Sequence, residues 1–212
     1  EQNPDTATPQ KPLVPMEFNA LTENATKTAL ADDGCSVEWL EGDEVLVFDG
    51  SNVDGETDKG VKFTAQSSGA SVVISGSADP AAAEYYALYP STSGKMSTSN
   101  VFTSKVGSQQ IVTAGTMADD YAVMIAKAEG KNMQFKNVTA LVEFTLDVEE
   151  VRSLTLIGNN NEKITGAFTA VWNNGEPVAT PGVAEVTATL RARKNADLAT
   201  GKYYFTILPT NF

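Results

Sequence analysis

Apolar and polar residues alternate along much of the chain with the period of a β-strand. The longest run covers residues 138–148, in which every second residue is apolar. A period of two places one face of a strand on a core and the other face mostly in water. The pattern therefore predicts that Phe144 lies in the core and that Thr145 lies on the opposite face.

Shorter runs rich in Val, Ile, Thr, Tyr and Phe predict further strands at residues 61–65, 72–74, 85–89, 121–126, 154–157, 164–170, 184–190 and 203–208. Turn signals such as Asp54-Gly55 and Asn173-Asn174-Gly175 separate them. Only residues 79–83, "DPAAA", have helix-start signals, enough for one or two turns. Strands at this spacing predict an all-β fold built from sandwiches.

Two breaks in the pattern predict the domain organisation. Residues 1–15 contain four prolines, so residues 1–18 are predicted to form a flexible tether. A polar, glycine-containing break at residues 129–132 predicts a boundary between an N-terminal sandwich, 19–130, and a C-terminal sandwich, 131–212. The second segment offers about five strands, few for a closed two-sheet core, so we expect an open sheet edge there.

Composition excludes several classes of function. Fifteen Lys and Arg stand against 27 Asp and Glu, and the net charge of -12 repels nucleic acid and anionic lipid alike. The chain has no histidine, so the usual nucleophile–base pairs and histidine metal sites are absent. We therefore expect no enzyme activity, no bound metal and no cofactor. The single cysteine, Cys35, is expected to be inert, because acidic residues flank it.

Three candidate sites remain. The acidic residues 49–60 suggest a calcium loop, but no register gives the EF-hand ligand spacing, which favours a solvated hairpin loop. Glu84 is a candidate glycosidase carboxylate, although carboxylate pairs arise by chance among 27 acidic residues. Exposed aromatic rings can stack on sugars, and Trp172 is the candidate for that role, whereas Trp39 is expected to close a core.

The order of several segments resembles the fimbrillin-like proteins of Bacteroidales, which are subunits or accessory components of type V pili. The segments are "TKTAL" (26–30), "VEWLEGDEVLVFDG" (37–50), "VKFTA" (61–65), "YYALYP" (85–90), "MQFKNVTALVEFTL" (133–146), "VRSLTLIGNNNEKITGAF" (151–168) and "KYYFTILPTNF" (202–212). The resemblance covers nearly the whole chain from about residue 20. It implies a protein exported to the cell surface and folded as two transthyretin-like β-sandwich domains, the second of them incomplete.

The resemblance also implies structural roles and partners. The matching positions, taken as structural, are Trp39, Gly42, Asp43, Tyr86, Tyr89, Pro90, Phe135 and Asn137. Members of the family are held in the outer membrane through a lipidated cysteine, which this chain does not contain at its start, and subunits join when a strand of one completes the sheet of the next. The expected partners are therefore other pilus subunits, copies of the same chain, or host and bacterial surface ligands.

The first arginine is Arg152, so cleavage after an arginine near the start is not expected, which favours a tip, anchor or other non-polymerising role. A surface carbohydrate-binding module of a glycan-uptake system is the alternative.

Overall fold

The computed structural model describes residues 12–22, 29–30, 37–115 and 122–210, and most of them lie in strands. The strands are β1 (Val14–Thr22), β2 (Ala29–Leu30), β3 (Val37–Glu38), β4 (Glu44–Phe48), β5 (Val53–Asp54), β6 (Thr57–Asp58), β7 (Val61–Ala65), β8 (Ser71–Ala78), β9 (Tyr86–Tyr89), β10 (Gly94–Ser97), β11 (Val101–Val106), β12 (Gln109–Ile111), β13 (Met124–Glu129), β14 (Asn132–Asn137), β15 (Ala140–Leu146), β16 (Ser153–Ile157), β17 (Thr165–Asn173), β18 (Glu176–Glu185), β19 (Thr187–Arg191) and β20 (Gly201–Ile207). The prediction of an all-β fold is confirmed. Among the described residues no helix is long or apolar enough to cross a membrane.

Seven strands form a sheet that closes on itself, in the order β1-β14-β13-β9-β4-β7-β8. Only the β1–β14 pair is parallel. Phe18 on β1, 1% exposed, belongs to the core of this barrel. The predicted tether therefore ends earlier than residue 18, because β1 begins at Val14. Residues 1–11, like Cys35 and Tyr121, lie outside the described residues.

The predicted boundary at residues 130 and 131 falls within this barrel. Gly130 lies in the turn of the β13–β14 hairpin, and β14 pairs with β13 on one side and with β1 on the other. The backbone groups of residues 132–137 are thus used by the first sheet. Pairing across the predicted boundary recurs elsewhere, since β17 joins β11 and β19 joins β12.

A six-stranded sheet, in the order β18-β17-β11-β10-β6-β5, contributes to a second apolar core with the barrel. Phe48 and Tyr86 from the barrel strands belong to this core together with Phe102 and Phe168 from the six-stranded sheet. The predicted turn at Asn173-Asn174-Gly175 joins β17 to β18. Asn174 and Gly175 both have positive φ, as a tight hairpin turn requires.

β2 and β3 form a small sheet of their own, and the other five strands surround a third core. A three-stranded sheet, β12-β19-β16, and a two-stranded sheet, β15–β20, contribute Leu190, Phe205 and Ile207 to it. The alternating run at 184–190 is not one strand, because β18 ends at Glu185 and β19 begins at Thr187 in another sheet. The chain bends at Val186 between them.

The helix predicted at residues 79–83 is wrong. Asp79 caps the segment as expected, and one of its carboxylate oxygens accepts the Ala81 N–H over 2.9 Å. The segment makes only a turn, in which the Ala82 N–H donates to the Asp79 carbonyl over 3.2 Å. The Asp79 N–H donates in turn to the Asp49 carboxylate over 2.6 Å, and the chain enters β9 at Tyr86. The segment between Asp79 and β9 is therefore a turn and too short for a helix.

Candidate functional site

The tryptophan of the motif near the start of the chain is a core residue. Trp39 is 0% exposed, and its indole packs edge-on against Tyr89 and Phe135, with ring centroids 5.3 and 5.0 Å apart. The Trp39 backbone exchanges two hydrogen bonds of 2.9 Å with Gly69. Its Nε1 has no hydrogen-bond acceptor among the described residues, so the indole acts through packing.

Gly42 and Asp43 form the turn that leads from Trp39 into β4. Gly42 has a φ of 91°, a conformation that glycine adopts without steric cost. The Asp43 carboxylate accepts the Leu40 N–H over 2.8 Å, and the Asp43 N–H donates to the Leu40 carbonyl over 3.0 Å. Ala65 closes the turn from β7, since its N–H donates to the Asp43 carbonyl and its carbonyl accepts the Gly42 N–H.

The other motif positions lie on the neighbouring strands of the barrel. Tyr86 begins β9 and is 7% exposed, Tyr89 ends β9, and Pro90 follows Tyr89 through a cis peptide bond. Phe135 is fully buried on β14, and Asn137 ends that strand opposite Met124 on β13. Trp39, Tyr89 and Phe135 belong to the barrel core, whereas Tyr86 belongs to the core between the barrel and the six-stranded sheet. The motif positions therefore do not converge on one cavity.

The aromatic residues do not form an exposed platform for a sugar. Trp172 is half-buried and packs against the core between the barrel and the six-stranded sheet. Tyr203 and Tyr204 are buried, and Tyr85 is half-buried with its hydroxyl donating to the Asp79 carbonyl over 2.7 Å. The described aromatic rings therefore offer no flat stacking row.

Glu84 lies in a network with Tyr86 and Lys127. The Tyr86 hydroxyl donates to the Glu84 carboxylate over 2.9 Å, and the Lys127 ammonium forms an ion pair with the same carboxylate. The hydrogen bond from Lys127, and secondarily that from Tyr86, lowers the pKa of Glu84. A glycosidase acid needs the opposite shift, because it must hold its proton near neutral pH.

The acidic segment at residues 49–60 is a hairpin held by its own carboxylates. Asp58 is 2% exposed, and its two oxygens accept the N–H groups of Gly50 and Gly60, each over 2.9 Å. Asp49 accepts the Ser51 N–H over 2.8 Å. The described residues contain no group of three or more acidic or cysteine side chains that could hold a metal ion.

The third core has one incompletely covered side. Residues of two sheets form this core, β15–β20 and β12-β19-β16, and the side chain of Gln110 on β12 bonds to the backbone of Thr206 on β20. β15 and β16 are edge strands of these two sheets. In the described part of the chain, β15 pairs only with β20 and β16 pairs only with β19.

Core residues on β19 and β20 are more deeply buried than several of those on β15 and β16. Leu190 on β19 and Phe205 on β20 are 0% and 3% exposed. Val142 on β15 and Leu154 on β16 face the same core but are only half-buried. Phe144 lies in the strand register that was predicted for the core but is 44% exposed, so its predicted burial is wrong. We call the edges of β15 and β16, with their partly covered apolar residues Val142, Phe144, Leu154 and Leu156, the open side.

The fold is similar to that of a bacterial protein of known structure. The chain matches the crystal structure of a protein from Bacteroides uniformis, provisionally described as a cell adhesion protein, with a TM-score of 0.50 and 18% identity. The match covers 92% of this chain and 74% of that chain. At this identity the similarity establishes a shared fold. No protein-family model matches the sequence, and no curated protein matches it.

Proposed function

We propose that the chain is a structural or adhesive protein of a bacterial cell surface, without catalytic activity, and that it belongs to the fimbrillin-like components of type V pili. The ordered motif set supports this family. The shared fold with the Bacteroides uniformis protein is consistent with a surface adhesive role. The protein would be placed in the outer membrane or in a fimbria, and it would touch a membrane only through a lipid anchor.

The observation that carries the proposal is the open side. Unpaired strand edges present backbone donors and acceptors, and partly covered apolar residues gain free energy when another strand buries them. A strand added beside β15 would satisfy both, which is the physical basis of assembly by strand addition. The partner proposed is another pilus subunit or a second copy of this chain.

Two features support a non-enzymatic role without a cofactor. The chain has no histidine, so general acid–base work would fall to carboxylates and lysines. The best carboxylate candidate, Glu84, is held in its charged form by Lys127 and Tyr86. Nucleic acid is not a proposed partner, because the net charge of -12 repels phosphate.

The experiment is to extract the native protein from its cell surface and run it in SDS with and without boiling. An inserted strand is hydrogen-bonded and buried, so we expect at least one unheated band larger than the monomer that collapses on boiling. Phe144→Lys places a charge on the open side and should abolish that band. The matched control is Val183→Lys on the edge strand β18, where Val183 is 91% exposed.

A monomer band in both unheated and boiled samples would contradict strand addition. Loss of the larger band in both variants would place the assembly surface somewhere other than the open side.

A further inference from the structure

The fold gathers all the arginines of an acidic chain at one place. The chain has three arginines, Arg152, Arg191 and Arg193, among 212 residues with a net charge of -12. Arg152 directly precedes β16, Arg191 ends β19, and Arg193 begins the 3-10 turn Arg193–Asn195. Arg191 and Arg193 are near each other in sequence, whereas Arg152 lies near them because β16 pairs with β19.

Two of these arginines, Arg152 and Arg191, border a cavity. Ser153 on β16 lies opposite Arg191 on β19 in the antiparallel pair. Arg152, Ser153, Arg191 and Asn195 line a cavity of about 380 Å³. Lys194 and Asn195 both have positive φ, so the turn takes a conformation that is uncommon for residues other than glycine at the edge of the cavity.

The arginines are available to an incoming anion. The Arg152 side chain is 82% exposed, and its Nε lies 3.4 Å from an oxygen of Asp197, itself 52% exposed. An exposed pair of this kind contributes little, so an anionic ligand can compete with Asp197. Arg191 is exposed and forms no ion pair with a described residue. A guanidinium offers several N–H donors in a planar fork that matches an oxyanion.

The polar side chains beside the arginines favour a sugar as the molecule that bears the anionic group. Ser153 and Asn195 add hydroxyl and amide groups to the cavity wall. Such groups hydrogen-bond readily to sugar hydroxyls. The overall charge of -12 disfavours nucleic acid and anionic membranes, which present extended negative surfaces rather than one group.

We propose that this arginine pocket binds an acidic glycan through a carboxylate or sulfate group. The inference rests on the proposed cell-surface role, since such glycans are met outside the cell, and it adds the class of ligand. The pocket lies on the outer face of the β12-β19-β16 sheet, whereas the proposed strand addition would take place at β15, which belongs to another sheet.

The test is a titration of the full chain with three monosaccharides, galacturonic acid, N-acetylgalactosamine 4-sulfate and neutral galactose, at about 50 mM salt, where charge interactions are weakly screened. Each acidic sugar carries one negative charge, so the overall charge of the chain repels it less than it repels a polyanion. We expect measurable binding of at least one acidic sugar and none of galactose, and the better acidic sugar identifies the preferred oxyanion. Equal affinity for galactose would overturn the proposal, as would no binding of either acidic sugar.

Two double variants distinguish binding at the pocket from a general effect of positive charge on the affinity. R152Q/R191Q should weaken binding at least about tenfold, and R152K/R191K, which keeps the charge and loses the fork, should weaken it less. The matched control K59Q/K62Q removes two exposed lysines that pair with Asp54 and Glu44. It should change the affinity less than about twofold. Equal losses in R152Q/R191Q and the control would overturn the pocket.

Thermal melts of each variant establish that it is folded, and the unheated gel of each reports assembly. Loss of glycan binding with an unchanged gel pattern confirms that the pocket acts independently of assembly. Failure of the wild-type chain to bind either acidic sugar, while it still forms the unheated band, would overturn the proposed glycan pocket and leave the proposed function intact.

Discussion

The side-chain amide of Gln110 takes the place of a backbone partner for Thr206. Its Nε2 donates to the Thr206 carbonyl over 2.6 Å, and its Oε1 accepts the Thr206 N–H over 3.0 Å. Gln110 is 0% exposed, and its Nε2 also lies 3.1 Å from the Gly107 carbonyl. β15 pairs along the other side of β20, so the amide occupies the backbone groups of Thr206 on the remaining edge of β20. The strand addition that we propose would therefore take place at β15.

Replacement of this amide should therefore be costly. Gln110→Leu leaves the Thr206 N–H and carbonyl buried without their partner, and we expect a loss of about 2–4 kcal/mol in the free energy of unfolding. Urea denaturation followed by circular dichroism measures it. The control is Gln109→Leu on the same strand, where the side chain is exposed and the expected change is within about 0.5 kcal/mol. Similar values for the two variants would contradict the role of the amide.

The open side makes a second prediction about stability. Phe144 is 44% exposed on β15, whereas Phe205 on the paired strand β20 is 3% exposed. Phe144→Ala should cost about 1–2 kcal/mol, because much of its ring already contacts water, and Phe205→Ala should cost about 3–5 kcal/mol. Urea denaturation of the isolated chain gives both values. Equal costs would mean that the open side is covered in solution.

Phe144 shows which properties of a strand can be predicted from the sequence and which cannot. Alternation along residues 138–148 is a local property, and it predicted the face of β15 on which Val142 and Leu146 meet the core. The extent of burial is not local, because it depends on which other strands cover that face. In this fold β15 lies at the edge of the two-stranded sheet β15–β20, and the other strands around the core come from distant segments.

The Gln110 amide and the arginine pocket also depend on strand pairing between distant segments, which the sequence alone does not show. Gln110 lies in a three-residue strand without an alternating pattern, so its sequence neighbours gave no sign that its amide is buried. Arg191 and Arg193 are visible as a pair in the sequence, but the approach of Arg152 depends on the register of β16 against β19. Trp39 and its turn were predictable, because the Gly42-Asp43 turn and the apolar strand follow one another directly.

The two tryptophans should differ in their optical properties. Trp39 is 0% exposed, whereas Trp172 is half-buried. In Trp172→Phe the remaining Trp39 should emit at shorter wavelength than the wild-type average and resist quenching by acrylamide. Trp39→Phe, the reciprocal variant, should emit at longer wavelength and be quenched more strongly. The reverse order would place Trp172 in the core and Trp39 on the surface.

The Glu84–Lys127 ion pair predicts a small pH dependence of stability. Lys127 and Tyr86 lower the pKa of Glu84, so the pair stabilises the fold above the ordinary carboxyl pKa, and this stabilisation is lost as the pH falls through the lowered value. Glu84 is 45% exposed, so screening limits the effect to less than about 1 kcal/mol. The unfolding free energy of Glu84→Gln should lie below that of the wild type at pH 7 and approach it near pH 3.

A carboxyl titration by NMR gives an independent check on that pair. The midpoint of Glu84 should lie below its ordinary value in the wild type and should move upward in Lys127→Met, because the largest cause of the lowered pKa is the Lys127 hydrogen bond. An unchanged midpoint in Lys127→Met would contradict the ion pair.

Gly76 on β8 should not tolerate a side chain. It lies opposite Phe63 of β7, and a Cβ at this position would lie 2.5 Å from the Phe63 ring and 2.6 Å from the Lys62 carbonyl oxygen. Phe63 is fully buried, so neither the ring nor the backbone can move aside without disturbing the barrel core. Gly76→Ala should therefore cost about 1–3 kcal/mol in urea denaturation. Gly182→Ala on the edge strand β18, where the nearest atom is the Ala167 carbonyl oxygen at 3.2 Å, is the matched control and should cost less than Gly76→Ala. An equal or larger loss at Gly182 would contradict the close β7–β8 packing at Gly76, because an exposed edge strand has room to adjust.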